Sequence, residues 1–298
     1  KRQIFLTSVA MFFLLQLWVN QWKAFAAAML FLSMPATAVV GQLLMTGHYA
    51  YGLLFSILAI YTFILSLRHQ HLGYAIASAA FYGLACWCKE LYVPLIGVLL
   101  FLPEARWPLR LYTLIPSVVV AAIYTTLRLT IIGVGGYSQP INLSELDIFR
   151  ILHDLKLGLF GNGHIATVSA LSVGVFFLIA LSKRCRSYPL LFLGSLFVLA
   201  FLPIFSMLLG GLENVTLLRL FYFCSWILAV SIVFLLRSTI ADVTFITLLV
   251  GLFAFAQIEI RQQVSVPATL MEKQSQFILT GLKSCLLYTS PSPRDGLL

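Results

Sequence analysis

Charge is what this sequence has least of. Only 10% of its 298 residues are charged, ten acids against nineteen lysines and arginines, while 61% are hydrophobic. A soluble domain carries about 25% charged residues, so this chain is too apolar to wet its own surface. Its mean hydropathy of +0.99 agrees. Paired cysteine spacing is also missing: Cys86, Cys88, Cys185, Cys224 and Cys285 suggest no disulfide framework. Cys86-Trp87-Cys88 is spaced too tightly for a zinc site and reads as two small core residues of an apolar helix. No signal peptide with a basic start, short core and cleavage site is present, and no initiating Met. No Ser/His/Asp arrangement emerges from sequence order. His69, His71, His153 and His164 have no matching ligand set. The glycines Gly133, Gly135 and Gly136 lack the Gly-Lys-Ser/Thr ending that holds nucleotide, so they predict a flexible turn.

What the chain does have is long apolar blocks. Ten can be counted, at about 3–19, 24–44, 51–67, 74–88, 91–102, 111–127, 165–181, 189–209, 221–236 and 243–258. A membrane span needs around 20 residues, so the fold class expected is all-α: a polytopic bundle of about ten transmembrane helices. Segments 74–88 and 91–102 are short; they predict either two half-depth helices broken at Lys89-Glu90 or one long helix.

The net charge of +9 would suggest nucleic acid in a soluble protein, but basic residues in membrane proteins set topology. No nucleic-acid partner is expected. If every segment crosses, one face collects Lys23, Arg68, Arg106, Arg110, Lys183, Arg184, Arg186 and Arg237, with only Glu104 and Asp242 as acids. Dense basic residues in short loops mark the cytoplasmic side. The other face, with the termini, Lys89-Glu90 and the long 128–164 loop, is then external. An external start without Met predicts at least one further span upstream.

The long external loop carries Ser144-Glu145-Leu146-Asp147, a helix-start spacing. Ile148, Ile151, Leu152, Leu155 and Leu159 follow at helical intervals with Arg150, Asp154 and Lys156 between them. An amphipathic helix near 144–160, lying along the membrane surface, is predicted. Asn142 and Asn214 begin glycosylation sequons, which matter only in a secretory pathway. After Ser284 the run Cys285-Leu-Leu-Tyr-Thr-Ser-Pro-Ser-Pro-Arg-Asp resembles translated sequencing adapter. The domain expected is therefore 1–284, with 285–298 a non-native tail.

Charges close to membrane depth are costly and ask for a reason. On the external face these are Lys89, Glu90, Arg128 and Arg219, with His48 beside them. Each has a structural reading, as a snorkelling anchor or interfacial ion pair. Each also has a functional one, because a guanidinium suits bidentate phosphate recognition. Three cations converging on one face would suit a lipid-linked phosphate.

Several strings carry a family resemblance. "FLSMPATAVV" through "GHYAYGLLFSILAIYTFIL" resembles the Leu-Phe-x-x-x-Pro segment and following span of the GT-C superfamily. "LACWCKELYVPLIGVLL" resembles its Lys-Glu-x-x-x-x-Pro stretch through Lys89, Glu90 and, one residue early, Pro94. Pro116, Tyr124, Arg128 and Gly133 to Tyr137 match a Pro, Tyr-x-x-x-Arg and Gly-rich turn. Arg219, Tyr222 and Ser225 match an Arg-Tyr-x-Tyr-x-x-Ser motif, with Leu220 replacing the first Tyr. The resemblance covers roughly residues 20–260 and is nearest to the membrane halves of O-mannosyltransferase-like proteins.

The resemblance implies a glycosyltransferase that moves a sugar from a polyprenyl-phosphate donor to a protein or glycan acceptor on the external face. It implies donor-phosphate contacts at Lys89, Arg128 and Arg219, supported by Glu90, His48 and Tyr137. The family's catalytic Asp, in the loop after the first span, is expected upstream of residue 1. No cofactor is expected in this stretch, although the complete enzyme could use a divalent cation. The location implied is a multi-pass protein of a bacterial inner membrane or eukaryotic endoplasmic reticulum. Competing readings are a transporter or lipid flippase, an O-antigen polymerase or ligase, and a scaffold without chemistry. A transporter would favour inverted repeats, and no convincing repeat is seen.

Overall fold

The computed structural model describes residues 2–42, 46–102, 104–131, 148–161, 163–184, 219–236, 240 and 242–258. Among them every regular element is helical. In chain order these are α1 Arg2–Leu15, α2 Gln21–Ser33, α3 Pro35–Gln42, α4 Gly47–His69, α5 Leu72–Cys88, α6 Leu95–Phe101, α7 Trp107–Ile131, α8 Ile148–Phe160, α9 Gly163–Arg184 and α10 Tyr222–Leu235. A further helix, α11, runs Asp242–Ile258. All the described residues belong to one compact unit, Lys1–Ile260.

Two helices are long and apolar enough to cross a membrane: α4 with 23 residues and α7 with 25. At about 1.5 Å rise per residue each exceeds a hydrocarbon core of about 30 Å. The number rises to four if two bent pairs, α2 with α3 and α8 with α9, each count as one span. The predicted block at 189–209 and the tail at 285–298 lie outside the described residues.

Two predicted segments divide, and each division has a local cause. Block 24–44 breaks between α2 and α3, which meet at 61°. Proline disfavours helical backbone in the residue before it, and Met34, ahead of Pro35, is extended at φ −67, ψ 143. The carbonyls freed by the break are met from inside the bundle. Thr37 Oγ1 donates to the Phe31 carbonyl at 2.8 Å, and Gln257 Nε2 donates to those of Leu32 and Met34 at 2.7 and 3.0 Å.

The second division lies at Lys89-Glu90. Of the two alternatives, the structure has two helices: α5 stops at Cys88, and a 3-10 turn, Glu90–Tyr92, leads into α6. Lys89 is extended at φ −162, ψ 136, and its N–H still bonds the Ala85 carbonyl at 3.1 Å.

The core is formed by α1, α2, α4 and α10, with Met11, Leu14, Leu30, Phe31, Leu53, Phe63 and Tyr222 fully buried. Ser78 Oγ donates to the Ala59 carbonyl at 2.8 Å, tying α5 to α4. By contrast, α7 is peripheral: Leu111, Ile115, Val119 and Ile123 all face outward.

The helix expected near 144–160 is present from Ile148, but its burial differs from the expected stripe. Leu157, Leu159, Phe160 and Asp154 are buried, whereas Phe149 is 83% and Leu152 56% exposed. Tertiary contact overrides the periodic pattern here. Gly158 sits so close to the Phe221 ring that a Cβ would lie 2.2 Å from it, and Phe160 packs on Phe253 at 5.9 Å.

Candidate functional site

Tyr92 anchors the turn that carries the candidate cations. It is fully buried, its hydroxyl donates to the Tyr49 carbonyl at 2.6 Å, and its ring meets Phe223 edge-on at 5.4 Å. Gly52 makes this approach possible, because a Cβ there would lie 2.2 Å from the Tyr92 ring. Tyr82 Oη donates to the Val93 carbonyl at 2.9 Å and fixes the turn's far side. With Leu91 and Tyr92 buried, Lys89 and Glu90 are left at the rim of the bundle.

There the structure brings three of the predicted residues together. Lys89 Nζ lies 3.2 Å from Glu90 Oε1, and Arg128 Nη2 lies 3.7 Å from the same oxygen. Arg128 arrives on the last turn of α7, where the helix dipole favours a cation. The side chains are 20% (Lys89), 38% (Glu90) and 36% (Arg128) exposed. Burial raises the Glu90 carboxyl, but its own backbone hydrogen bond, Lys89 and Arg128 together hold it below the ordinary glutamate value. Lys89 Nζ also stands 6.0 Å from the centre of the Tyr49 ring, and His48 packs on that ring at 4.4 Å.

Arg219 lies just ahead of α10, one turn before Tyr222 and Phe223. Those two pack on Phe31 at 5.3 Å and on Tyr92 at 5.4 Å. Among the described residues, Arg219 Nε, Ser225 Oγ, Trp226 Nε1 and Ser231 Oγ are buried atoms without a hydrogen-bond partner. Tyr137 lies outside the described residues. Sequence reading missed Tyr49, Tyr92 and Gly52; only Tyr92 lies beside the charged break, and Tyr49 and Gly52 stand far from it in the chain with no local signal.

The opposite end is closed. Arg110 is 2% exposed and donates to the carbonyls of Leu100, Glu104 and Ala105 at 2.9–3.2 Å, with its guanidinium 4.7 Å from the Trp107 ring. Glu104 accepts from Trp18 Nε1 at 2.7 Å and from Arg68 Nη2 at 2.8 Å. Lys23 reaches the Leu236 carbonyl. These residues come from the set that the charge pattern assigns to one face, and Lys89, Glu90 and Arg128 come from the other.

His71 and Cys86 have structural places. His71 Nδ1 accepts from the Gly73 N–H at 3.1 Å and caps α5. Cys86 is buried in the core beside Tyr82. Among the described residues no group of three His, Cys, Asp or Glu stands close enough to hold a metal ion.

No protein-family model, curated protein or solved structure matches the chain. The class that the fold defines is an all-helical protein with helices long and apolar enough to cross a membrane.

Proposed function

We propose that the chain is a polytopic membrane protein of glycosyltransferase type, moving a sugar from a polyprenyl-phosphate donor to an acceptor at the Lys89–Arg128 end. The observation that carries the reading is the meeting of Lys89 and Arg128 on one carboxylate oxygen of Glu90. A leaving lipid phosphate gains negative charge in the transition state, and fixed cations beside it lower the barrier. Lys89 and Arg128 supply that charge, and Arg219 adds a fork suited to phosphate oxygens. In this reading the Lys23, Arg68 and Arg110 end is cytoplasmic, and the acceptor is a protein or glycan on the other side. The exposed Phe149 and Leu152 of α8, with Arg150 and Lys156 on the same short helix, suit a membrane surface.

The test is transfer of labelled sugar from a polyprenyl-phosphate donor by membranes carrying the gene's full product. Arg219→Ala is expected to lower transfer at least tenfold, as removal of one transition-state contact does, at unchanged membrane insertion. Undiminished turnover removes Arg219 from the site.

One observation favours a second reading, a transporter or flippase: the 61° break between α2 and α3, sealed by Gln257 from a distant helix. Broken helices line the substrate sites of many transporters. Passage of a labelled lipid-linked sugar across proteoliposomes, without transfer to acceptor, is the outcome that reading requires.

A further inference from the structure

We propose that Glu90 is a displaceable internal counter-ion, whose carboxylate holds Lys89 and Arg128 in place until an incoming phosphate or pyrophosphate group takes over both cations. The inference rests on the proposed phosphate site and adds how that site is kept poised and what it selects.

Geometry supplies the first argument. Both cations converge on a single oxygen, Oε1: Lys89 at 3.2 Å and Arg128 at 3.7 Å. The first distance is near the hydrogen-bonding range and the second lies beyond it, so the carboxylate satisfies one cation and merely attracts the other. A phosphate presents three oxygens and bonds both donors at once, as one carboxylate oxygen does not.

Charge supplies the second. Among the described residues, Lys89 and Arg128 meet on the one carboxylate of Glu90 at the rim. A phosphate dianion or a pyrophosphate complements the pair fully once the carboxylate swings away, whereas a monoanionic carboxylate ligand gains little over Glu90 itself. The arrangement therefore selects for phosphate-bearing ligands.

Anchoring supplies the third. Release of the carboxylate needs no backbone rearrangement, because Leu91 and Tyr92 hold the turn in the core through the Tyr92–Tyr49 hydrogen bond. The Glu90 side chain is itself 38% exposed, with water on one side to receive it. Solvent-screened ion pairs of this kind are individually weak, as a displaceable group requires.

The experiment measures binding of inorganic pyrophosphate to the purified chain in detergent by titration calorimetry. Glu90→Gln and Glu90→Ala are each expected to bind it about fivefold more tightly, the size of a screened ion pair. Lys89→Gln and Arg128→Gln are expected to bind it at least fivefold more weakly. Tightening in either folded Glu90 variant supports the counter-ion role. If both Glu90 variants bind pyrophosphate and farnesyl phosphate alike the same or more weakly while the cation variants lose affinity, the counter-ion role is overturned and the phosphate site stands. If neither cation variant changes affinity, the phosphate site fails and the inference with it. A parallel titration of farnesyl phosphate into the chain in nanodiscs separates the source. Tightening in this arm alone points to a lipid headgroup, and tightening with pyrophosphate as well points to the phosphate itself; both support displacement.

Discussion

Arg110 and Arg128 sit in the first and last turns of the same helix, α7, and the two ends of the bundle use them in opposite ways. Arg110 stands where the helix dipole disfavours a cation, yet its guanidinium is buried and spent on three backbone carbonyls. Arg128 stands where the dipole favours it, 36% exposed and 3.7 Å from Glu90 Oε1. At the first end, Glu104 joins Arg68 and Trp18 into a closed network; at the second, Glu90 is an open bridge between two cations. The lesson is that a basic residue in an apolar chain is read by where its donors go. Donors committed to internal carbonyls hold the fold, whereas Lys89 and Arg128 meet a part-exposed carboxylate at the rim of the bundle.

The sharpest way to break this contrast is Arg110→Met, which keeps the apolar stem but leaves buried carbonyls without donors. A loss of about 3 kcal/mol is expected, read as a large fall in unfolding temperature in detergent. Lys89→Gln and Arg128→Gln should cost less than about 1 kcal/mol in the same assay. Comparable losses at both ends would erase the distinction.

Gly52→Ala comes next. It pushes a methyl into the Tyr92 ring beneath the cationic rim, and overpacking of this kind costs about 1–3 kcal/mol. Pyrophosphate affinity should fall along with stability, because the turn bearing Lys89 and Glu90 moves. Gln257→Leu strips the carbonyls of Leu32 and Met34 of their donor, and about 1–2 kcal/mol is expected. It should leave anion binding at the rim unchanged.

The smallest effect is the pH dependence of Glu90. Its carboxyl is held below the ordinary glutamate value, so its contribution to stability is present above that value and is lost as pH falls through the depressed one. Because the side chain is more than a third exposed, the increment is screened to under about 1 kcal/mol. Unfolding temperature followed on acidification should show it in the unmodified chain and not in Glu90→Gln.

Much of this was legible in advance, for physical reasons that differ from residue to residue. The charged pair Lys89-Glu90 marks a real helix boundary, one of the two alternatives the sequence leaves open, because unshielded charge opposes a continuing buried helix; the break at Pro35 divides block 24–44, which the sequence reading takes as one segment. The partition of charges into two faces also holds for Lys23, Arg68 and Arg110 against Lys89, Glu90 and Arg128. The fate of Arg110 was not legible, since a basic residue in a short loop carries no sign that three carbonyls will enclose it. Nor was the face that α8 buries. Its periodic pattern predicts an apolar stripe lying along a membrane surface, but not the close fit of Gly158 on Phe221 that fixes the buried face.

The sequence by itself determined that this chain is helical and apolar and that a charged pair interrupts it at Lys89-Glu90. Those follow from composition and periodicity, which act locally along the chain. Only the tertiary structure decided that Lys89 and Arg128 share one oxygen of Glu90 above a turn pinned by Tyr92, while Arg110 is enclosed. That choice depends on contacts between helices distant in sequence, such as Tyr92 against Gly52 and Phe223, which no local pattern encodes.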